Sequence, residues 1–164
     1  MPVHRQGDFP TGGTGGQEYD DWIALGRPDY FGIYSLQVNV GDTLDHLVVT
    51  YSLGGGHYPV IQHGSSNGGH PNPPFILDVI HDEFLVKVDV FLDNFNRTFQ
   101  VVGLRFTTSK PTPGGLVYRT SDIYGYLGTE VSLEPNVRGV IPAFWGRQGL
   151  FVDALGIYVL PQSG

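Results

Sequence analysis

The chain has 164 residues, the size of one domain, a formal charge of −7 and no cysteine. This charge argues against a basic surface for nucleic acid or anionic lipid, and the lack of cysteine excludes disulfides and thiolate chemistry. The 24 Gly and 12 Pro accompany 40% hydrophobic and 13% aromatic residues, which is typical of a packed β protein with many turns.

Predicted strands follow one another along the chain, and helix is disfavoured almost everywhere. Each strand alternates apolar and polar residues, a period that places one face in a core. The apolar faces are Tyr34/Leu36/Val38/Val40, Leu47/Val49/Tyr51, Phe84/Val86/Val88/Val90, Val102/Leu104/Phe106 and Leu155/Ile157/Val159. Between them, residues 54–56, 63–74 and 110–115 are predicted loops because they are rich in Gly, Asn, Ser and Pro. The first residues show no apolar signal segment and no membrane span, so we expect a cytoplasmic protein, with secretion by another route left open.

Two short elements recur three times, at intervals of about fifty residues, which indicates an internal repeat. Double glycines occur at Gly15-Gly16, Gly68-Gly69 and Gly114-Gly115. A Gly-x-x-x-Asp element occurs at residues 41–45 and 149–153, and the third copy is expected at residues 93–97, where Arg97 replaces the aspartate. Units of this size are too small to bury a sheet face alone, so three sheets packed around a common axis are predicted.

The Gly-x-x-x-Asp element has the chemistry of a sugar-binding loop. A sugar hydroxyl both donates and accepts, so it needs a fixed carboxylate and a few backbone N–H donors. A single copy is better explained as a hairpin turn with an Asx-type hydrogen bond. Two copies at matching repeat positions, each with a Gly-Gly loop, favour binding.

The sequence resembles the jacalin-related lectins from about Gly12 to Leu160. The strongest match is the segment GVIPAFWGRQGLFVDALGIYV at residues 139–159, and GGTGGQEYDD at residues 12–21 is similar to the family's opening segment. The resemblance implies an all-β, β-prism I fold: three four-stranded Greek-key sheets with pseudo-threefold symmetry. We expect residues 1–11 to form an N-terminal extension and residues 12–164 to form the lectin domain.

The resemblance also implies two binding sites, which are named here by their residues. Site 1 comprises Gly16, Gly149, Leu150, Phe151 and Asp153. Site 2 comprises Gly69, Gly41, Asp42, Thr43 and Asp45. In each, the aspartate would accept from two sugar hydroxyls and the loop N–H groups would donate. The third position, expected to join Gly115 to residues 93–97, lacks the carboxylate and is predicted to be empty or rebuilt for other contacts.

Galactose-preferring members of the family carry a new amino terminus at the glycine corresponding to Gly16, whereas Gly16 is internal here. If the chain stays intact, mannose or glucose is therefore the expected sugar, and mannose-rich glycans and glycoproteins are the expected partners. Because single shallow sites are weak, a homo-oligomer is expected to provide multivalent binding.

No catalytic residue, cofactor or metal site is expected. The scattered histidines 57, 63, 70 and 81 are read as polar surface. The acidic pairs Asp20-Asp21 and Asp82-Glu83 are expected to cap turns or remain solvated rather than act as a glycosidase pair. Two alternatives remain open: a carbohydrate-active hydrolase, and a structural or storage β-prism with degenerate sites.

Overall fold

The computed structural model describes residues 2–29, 31–65, 67–95 and 97–162, which form three antiparallel sheets. The strands are β1 (His4–Arg5), β2 (Thr11–Gly12), β3 (Gln17–Asp20), β4 (Gly32–Val40), β5 (Leu44–Ser52), β6 (Val60–Gly64), β7 (His70–Pro71), β8 (Phe75–Ile76), β9 (Phe84–Phe95), β10 (Thr98–Thr112), β11 (Gly115–Thr120), β12 (Tyr124–Gly125), β13 (Thr129–Leu133), β14 (Gly139–Val140), β15 (Phe144–Gln148) and β16 (Val152–Pro161). The helical turns are α1 (Asp21–Ala24) and a 3₁₀ helix at Val79–His81. Neither is long or apolar enough to cross a bilayer.

Each sheet is built on a path of four strands with Greek-key order. The second sheet runs β6-β5-β4-β7 and the third runs β11-β10-β9-β13, so three consecutive strands are followed by a fourth beside the first. The first sheet has the same path, β1-β16-β15-β3, but takes two strands from each end of the chain. Four further short strands, β2, β8, β12 and β14, pair off these paths. The predicted β-prism with three related sheets is confirmed.

The core lies where the three sheets meet. The central strands β5, β10 and β16 each contact the other two. Their inward side chains include Leu47, Tyr51, Leu104, Phe106 and Leu155, all completely buried. The predicted apolar faces in these strands are confirmed, and alternation is the reason, because residues two apart lie on one face of a strand.

Two predictions about the strands need correction. Phe84 and Val86 are only partly buried, whereas Leu85 is in the core. The cause is a register shift between β9 and β10 at Leu85–Lys87, which exchanges the inward and outward faces at the start of β9. Residues 110–115 are largely strand: β10 continues to Thr112 and β11 begins at Gly115. Within the segment expected as an N-terminal extension, His4–Arg5 forms β1 of the first sheet, with His4 opposite Val159.

Candidate sugar-binding sites

The aspartates of the two Gly-x-x-x-Asp elements both lie on β-bulges. Asp153 is the residue of β16 without a partner on β15, although both its chain neighbours are paired. Asp45 is the corresponding unpaired residue of β5, opposite β4. A bulge inserts one extra residue and re-aims its side chain. The fold therefore presents both carboxylates in the same way, at the same end of two related sheets.

Loop 149–153 closes tightly around the carboxylate of Asp153. The Gly149 N–H donates to the Phe151 carbonyl at 3.0 Å, which turns the chain within three residues. Leu150, at the tip of the turn, is 75% exposed, while Phe151 is partly buried. A Cβ on Gly149 would lie 3.7 Å from Asp153 Oδ2, so the loop begins beside the carboxylate, and its tip is open to solvent.

The Gly-Gly loop at residues 15–16 lies directly against this carboxylate. Gly16 has φ of +69°, a conformation that favours glycine. A Cβ at Gly16 would overlap the Gln148 carbonyl and the Asp153 carboxylate. The Gly13 N–H donates to the Asp153 carbonyl at 2.8 Å, which joins the opening segment to the bulge. The structure therefore brings together the predicted residues of site 1 from both ends of the chain.

Arg147 fastens the Gly-Gly loop of site 1. Its Nε donates to the Gly15 carbonyl at 3.0 Å, and its Nη2 donates to the Gly16 carbonyl at 2.7 Å. The same guanidinium acts on the acid: burial raises the pKa of Asp153, and the positive charge of Arg147 opposes that rise. Arg147 thus fixes the loop and favours the ionised, hydrogen-bond-accepting form of the carboxylate.

Site 2 repeats this arrangement within one continuous stretch of chain. The Gly41 N–H donates to the Thr43 carbonyl at 3.1 Å, and the Ser65 N–H donates to the Asp45 carbonyl at 2.9 Å. These bonds correspond to those of Gly149 and Gly13 in site 1. Gly69 has φ of +67° and packs against the backbone of Val40, as Gly16 packs against Gln148.

Site 2 differs from site 1 in what holds its parts. The buried Thr43 hydroxyl donates to the Asp45 carboxylate at 3.2 Å, whereas the corresponding residue of site 1 is Phe151. Asn39 occupies the position of Arg147, and its side-chain amide donates to the Gly68 carbonyl over a longer distance, 3.4 Å. Site 2 is therefore assembled, with a looser Gly-Gly loop and a more firmly oriented carboxylate.

The third sheet has the same bulge without the acid, and the predicted third position was wrong in its residues. Val102 is the residue of β10 that has no partner on β9. Its carbonyl accepts from the Tyr126 N–H at 2.9 Å. The carbonyls of Asp153 and Asp45 accept in the same way from the N–H groups of Gly13 and Ser65. Val102 is 4% exposed. The residue replacing the aspartate is therefore Val102, and Arg97 belongs to a hairpin turn beyond it.

The Gly-Gly element of the third sheet was also misplaced. Gly128, just before β13, packs against the backbone of Leu92 as Gly16 packs against Gln148. Gly115 instead pairs with Thr112 at the far end of the 15-residue strand β10. The chance spacing of Gly114-Gly115 produced the error, because the third sheet carries Leu127-Gly128 in place of a double glycine.

Beyond Val102 the hairpin of the third sheet continues instead of closing. Residues 98–101 of β10 pair with residues 92–95 of β9, so the ladder extends past the bulge. The Phe99 carbonyl of this extension packs against Gly13, and the Phe99 ring is 44% exposed. The lengthened hairpin therefore packs beside the opening segment of site 1.

In the acidic pairs Asp20-Asp21 and Asp82-Glu83, three of the four carboxylates accept hydrogen bonds within the domain. Asp20 caps α1 by accepting from the Ile23 N–H at 3.1 Å, as expected, and Asp82 is exposed. Asp21 and Glu83, however, are buried, contrary to the prediction. Asp21 accepts from the Tyr51 hydroxyl, and Glu83 accepts from Arg119 at 2.9 Å.

The prediction that His63 is surface was also wrong. His63 is 2% exposed, stacks on Tyr19 at 3.7 Å and lies 2.8 Å from the Asp21 carboxylate. His57, His70 and His81 are exposed as expected. Across the described residues no group of three or more potential ligands is placed to hold a metal ion.

Sequence reasoning missed Arg147 and Asn39 as parts of the sites. Each lies two residues before the first glycine of its loop, at Gly149 and Gly41, so the repeat offset itself marks them. Both side chains have the same function, because each donates a hydrogen bond to a carbonyl of the neighbouring Gly-Gly loop.

Comparison with known proteins agrees with this architecture. A family model described as the Jacalin-like lectin domain matches residues 9–158. The chain is 30% identical to an agglutinin of Castanea crenata, and the match covers 97% of this chain and 48% of that protein. It is also 30% identical to horcolin of Hordeum vulgare, and that match covers 93% of this chain and 94% of horcolin. It spans about half the length of the agglutinin. The structure of an artocarpin–mannotriose complex has a TM-score of 0.75 and 28% identity, over 98% of this chain and 99% of that one. With this match and the three-sheet prism, the chain belongs to the jacalin-related lectin family.

Proposed function

We propose that the chain binds mannose or glucose residues of glycans at two sites, site 1 around Asp153 and site 2 around Asp45. The observation that carries this proposal is the repeated geometry: two bulged aspartates, each beside a tightly turned loop and a Gly-Gly loop. The carboxylates supply acceptors, and the turned loops supply N–H donors. The likeness to artocarpin, which was solved with mannotriose, supports mannose as the sugar.

Binding without hydrolysis is the function that this geometry favours. Glycoside hydrolysis uses two carboxyl groups facing one bond. Asp153 and Asp45 lie on separate sheets, and the buried carboxylates of Asp21 and Glu83 are bound by neighbouring side chains. Two sites on one chain, multiplied in a homo-oligomer, would hold a branched mannose-rich glycan more firmly than either site alone.

The proposal is tested by titrating methyl α-mannoside and methyl α-galactoside into the wild type, Asp153→Ala, Asp45→Ala and the double variant. We expect two mannoside sites in the wild type, one in each single variant and none in the double variant, with affinities on the order of millimolar. Asp82→Ala, the same change at an exposed aspartate, is the matched control and keeps both sites. A folded double variant that binds mannoside like the wild type contradicts the proposal.

A further inference from the structure

Tyr126 connects the third sheet to the loop of site 2. Its hydroxyl donates to the Gly41 carbonyl at 2.6 Å, across 85 residues of sequence. Gly41 is the first residue of loop 41–45, and a Cβ there would overlap the Asp45 carboxylate. The tyrosine therefore contacts the backbone beside the proposed sugar acceptor.

We propose that Tyr126 is the positioning residue of site 2, where it fixes the direction of the Asp42 N–H that would donate to the sugar. A trans peptide is planar, and its C=O and N–H point in opposite directions. The Gly41–Asp42 peptide is trans, so a hydrogen bond that holds the Gly41 carbonyl also holds the Asp42 N–H. Asp42 itself is exposed, so its N–H lies at the open tip of the loop. The inference rests on the proposed function of site 2.

The third sheet supplies a rigid support for this contact. The Tyr126 N–H donates to the Val102 carbonyl at 2.9 Å, and the Tyr126 backbone packs closely against Gly103. Tyr126 takes the place that Gly13 and Ser65 occupy at the other two bulges. The sheet without a carboxylate therefore uses its bulge to direct a tyrosine at the neighbouring site.

Site 1 lacks an equivalent support among the residues that the structure describes. Within the described ranges no side chain donates to the Gly149 carbonyl, which corresponds to that of Gly41. Loss of the Tyr126 hydroxyl should therefore affect one site alone. A structural defect of the whole domain would affect both.

The test compares Tyr126→Phe in two backgrounds: Asp153→Ala, which leaves site 2, and Asp45→Ala, which leaves site 1. Titration with methyl α-mannoside, followed by amide NMR, should show site 2 weakened about fivefold, the effect of one neutral hydrogen bond, and site 1 unchanged. Without sugar, the Asp42 amide signal should move while that of Leu150 does not. Tyr118→Phe, the same change at a tyrosine 63% exposed on β11, should alter neither site.

Two results would overturn the inference: an unchanged site 2 affinity in Tyr126→Phe, or equal weakening of both sites. Failure of the proposed function is distinguishable, because it appears in the parent chains: the wild type or Asp153→Ala binds no mannoside, or the Asp45→Ala, Asp153→Ala double variant still binds it.

Discussion

The guanidinium of Arg147 donates to the carbonyl oxygen of Gly16 at 2.7 Å, and this contact joins residues 131 positions apart. It is one arm of a fork, since the Nε of Arg147 holds the Gly15 carbonyl as well. Site 2 has only the 3.4 Å contact of Asn39 for the same purpose. The two sites therefore differ in how firmly the Gly-Gly loop is held.

Arg147→Lys should weaken mannoside binding at site 1 about tenfold. Lysine keeps the charge, but its single ammonium cannot reproduce both hydrogen bonds of the guanidinium, and the loss of one bond from a charged donor costs about 1.5 kcal/mol. Calorimetry in the Asp45→Ala background isolates site 1. Arg138→Lys, at an exposed arginine, is the control and should be neutral. An Arg147→Lys variant with wild-type affinity at site 1 would show that the loop does not need this fork.

Binding at site 1 should weaken as the pH falls, and should do so earlier than for an ordinary aspartate. Burial raises the pKa of Asp153, with Arg147 opposing the rise, and the protonated acid loses acceptor capacity. Titrations from pH 7 to 4 in the Asp45→Ala background measure the midpoint. Arg147→Met should move that midpoint to higher pH, because the opposing charge is removed; a midpoint that stays in place contradicts the coupling.

The raised pKa of Asp153 also makes the free energy of unfolding depend on pH. The native state disfavours the ionised acid more than the unfolded state does, so Asp153 costs stability above its raised pKa. That cost disappears as the pH falls below the ordinary value for aspartate. Asp153→Asn should therefore unfold at neutral pH with a free energy at least equal to that of the wild type, measured in urea. A clear loss of stability would mean that the carboxylate is stabilising as an ion.

Val102→Asp should not create a third site. Val102 is buried and the β9–β10 ladder continues beyond it, so the new carboxylate would be desolvated under a hairpin instead of facing an open loop. We expect a loss of at least about 3 kcal/mol in the free energy of unfolding and no added mannoside site, against about 1 kcal/mol for Val102→Ala. A stable Val102→Asp variant with three sites would refute this account of the third sheet.

Tyr51→Phe should destabilise the domain by about 2 kcal/mol. The Tyr51 hydroxyl is the donor to one oxygen of the buried Asp21, and His63 lies 2.8 Å from the other. Without the hydroxyl, a buried carboxylate oxygen loses its partner. Urea denaturation measures the loss, and Tyr118→Phe on the exposed face of β11 should change stability by less than about 0.5 kcal/mol. Equal stabilities for Tyr51→Phe and the wild type would show that Asp21 is satisfied without Tyr51.

The sequence predicted the fold well, because the fold rests on local patterns. Alternation identified the core faces of β5, β10 and β16. The Gly-x-x-x-Asp offset identified Asp45 and Asp153, because each ends a loop of identical length. The sugar ligand and the role of each site residue remain predictions.

The misplaced features depend on register and on distant pairing, which local patterns do not report. The acid position of the third sheet was assigned to Arg97 by counting, but the hairpin there is longer, and only the bulge at Val102 reveals the true position. The burial of Asp21 and His63 could not be predicted because Asp21 lies in α1, whereas its partners Tyr51 and His63 come from the second sheet. Tyr126 was missed because its target, Gly41, is 85 residues away.

The closure of the first sheet by both ends of the chain sets an order of assembly. Site 2 joins Asn39 to Gly68, 29 residues apart, and receives the contact of Tyr126 from the third sheet, so its parts are synthesised before β13. Site 1 joins Gly16 to Arg147, so the opening loop must wait for almost the whole domain to be synthesised. Loop closure over such a separation is slow, and it makes site 1 a reporter of completed folding, while site 2 reports that the second and third sheets have packed together.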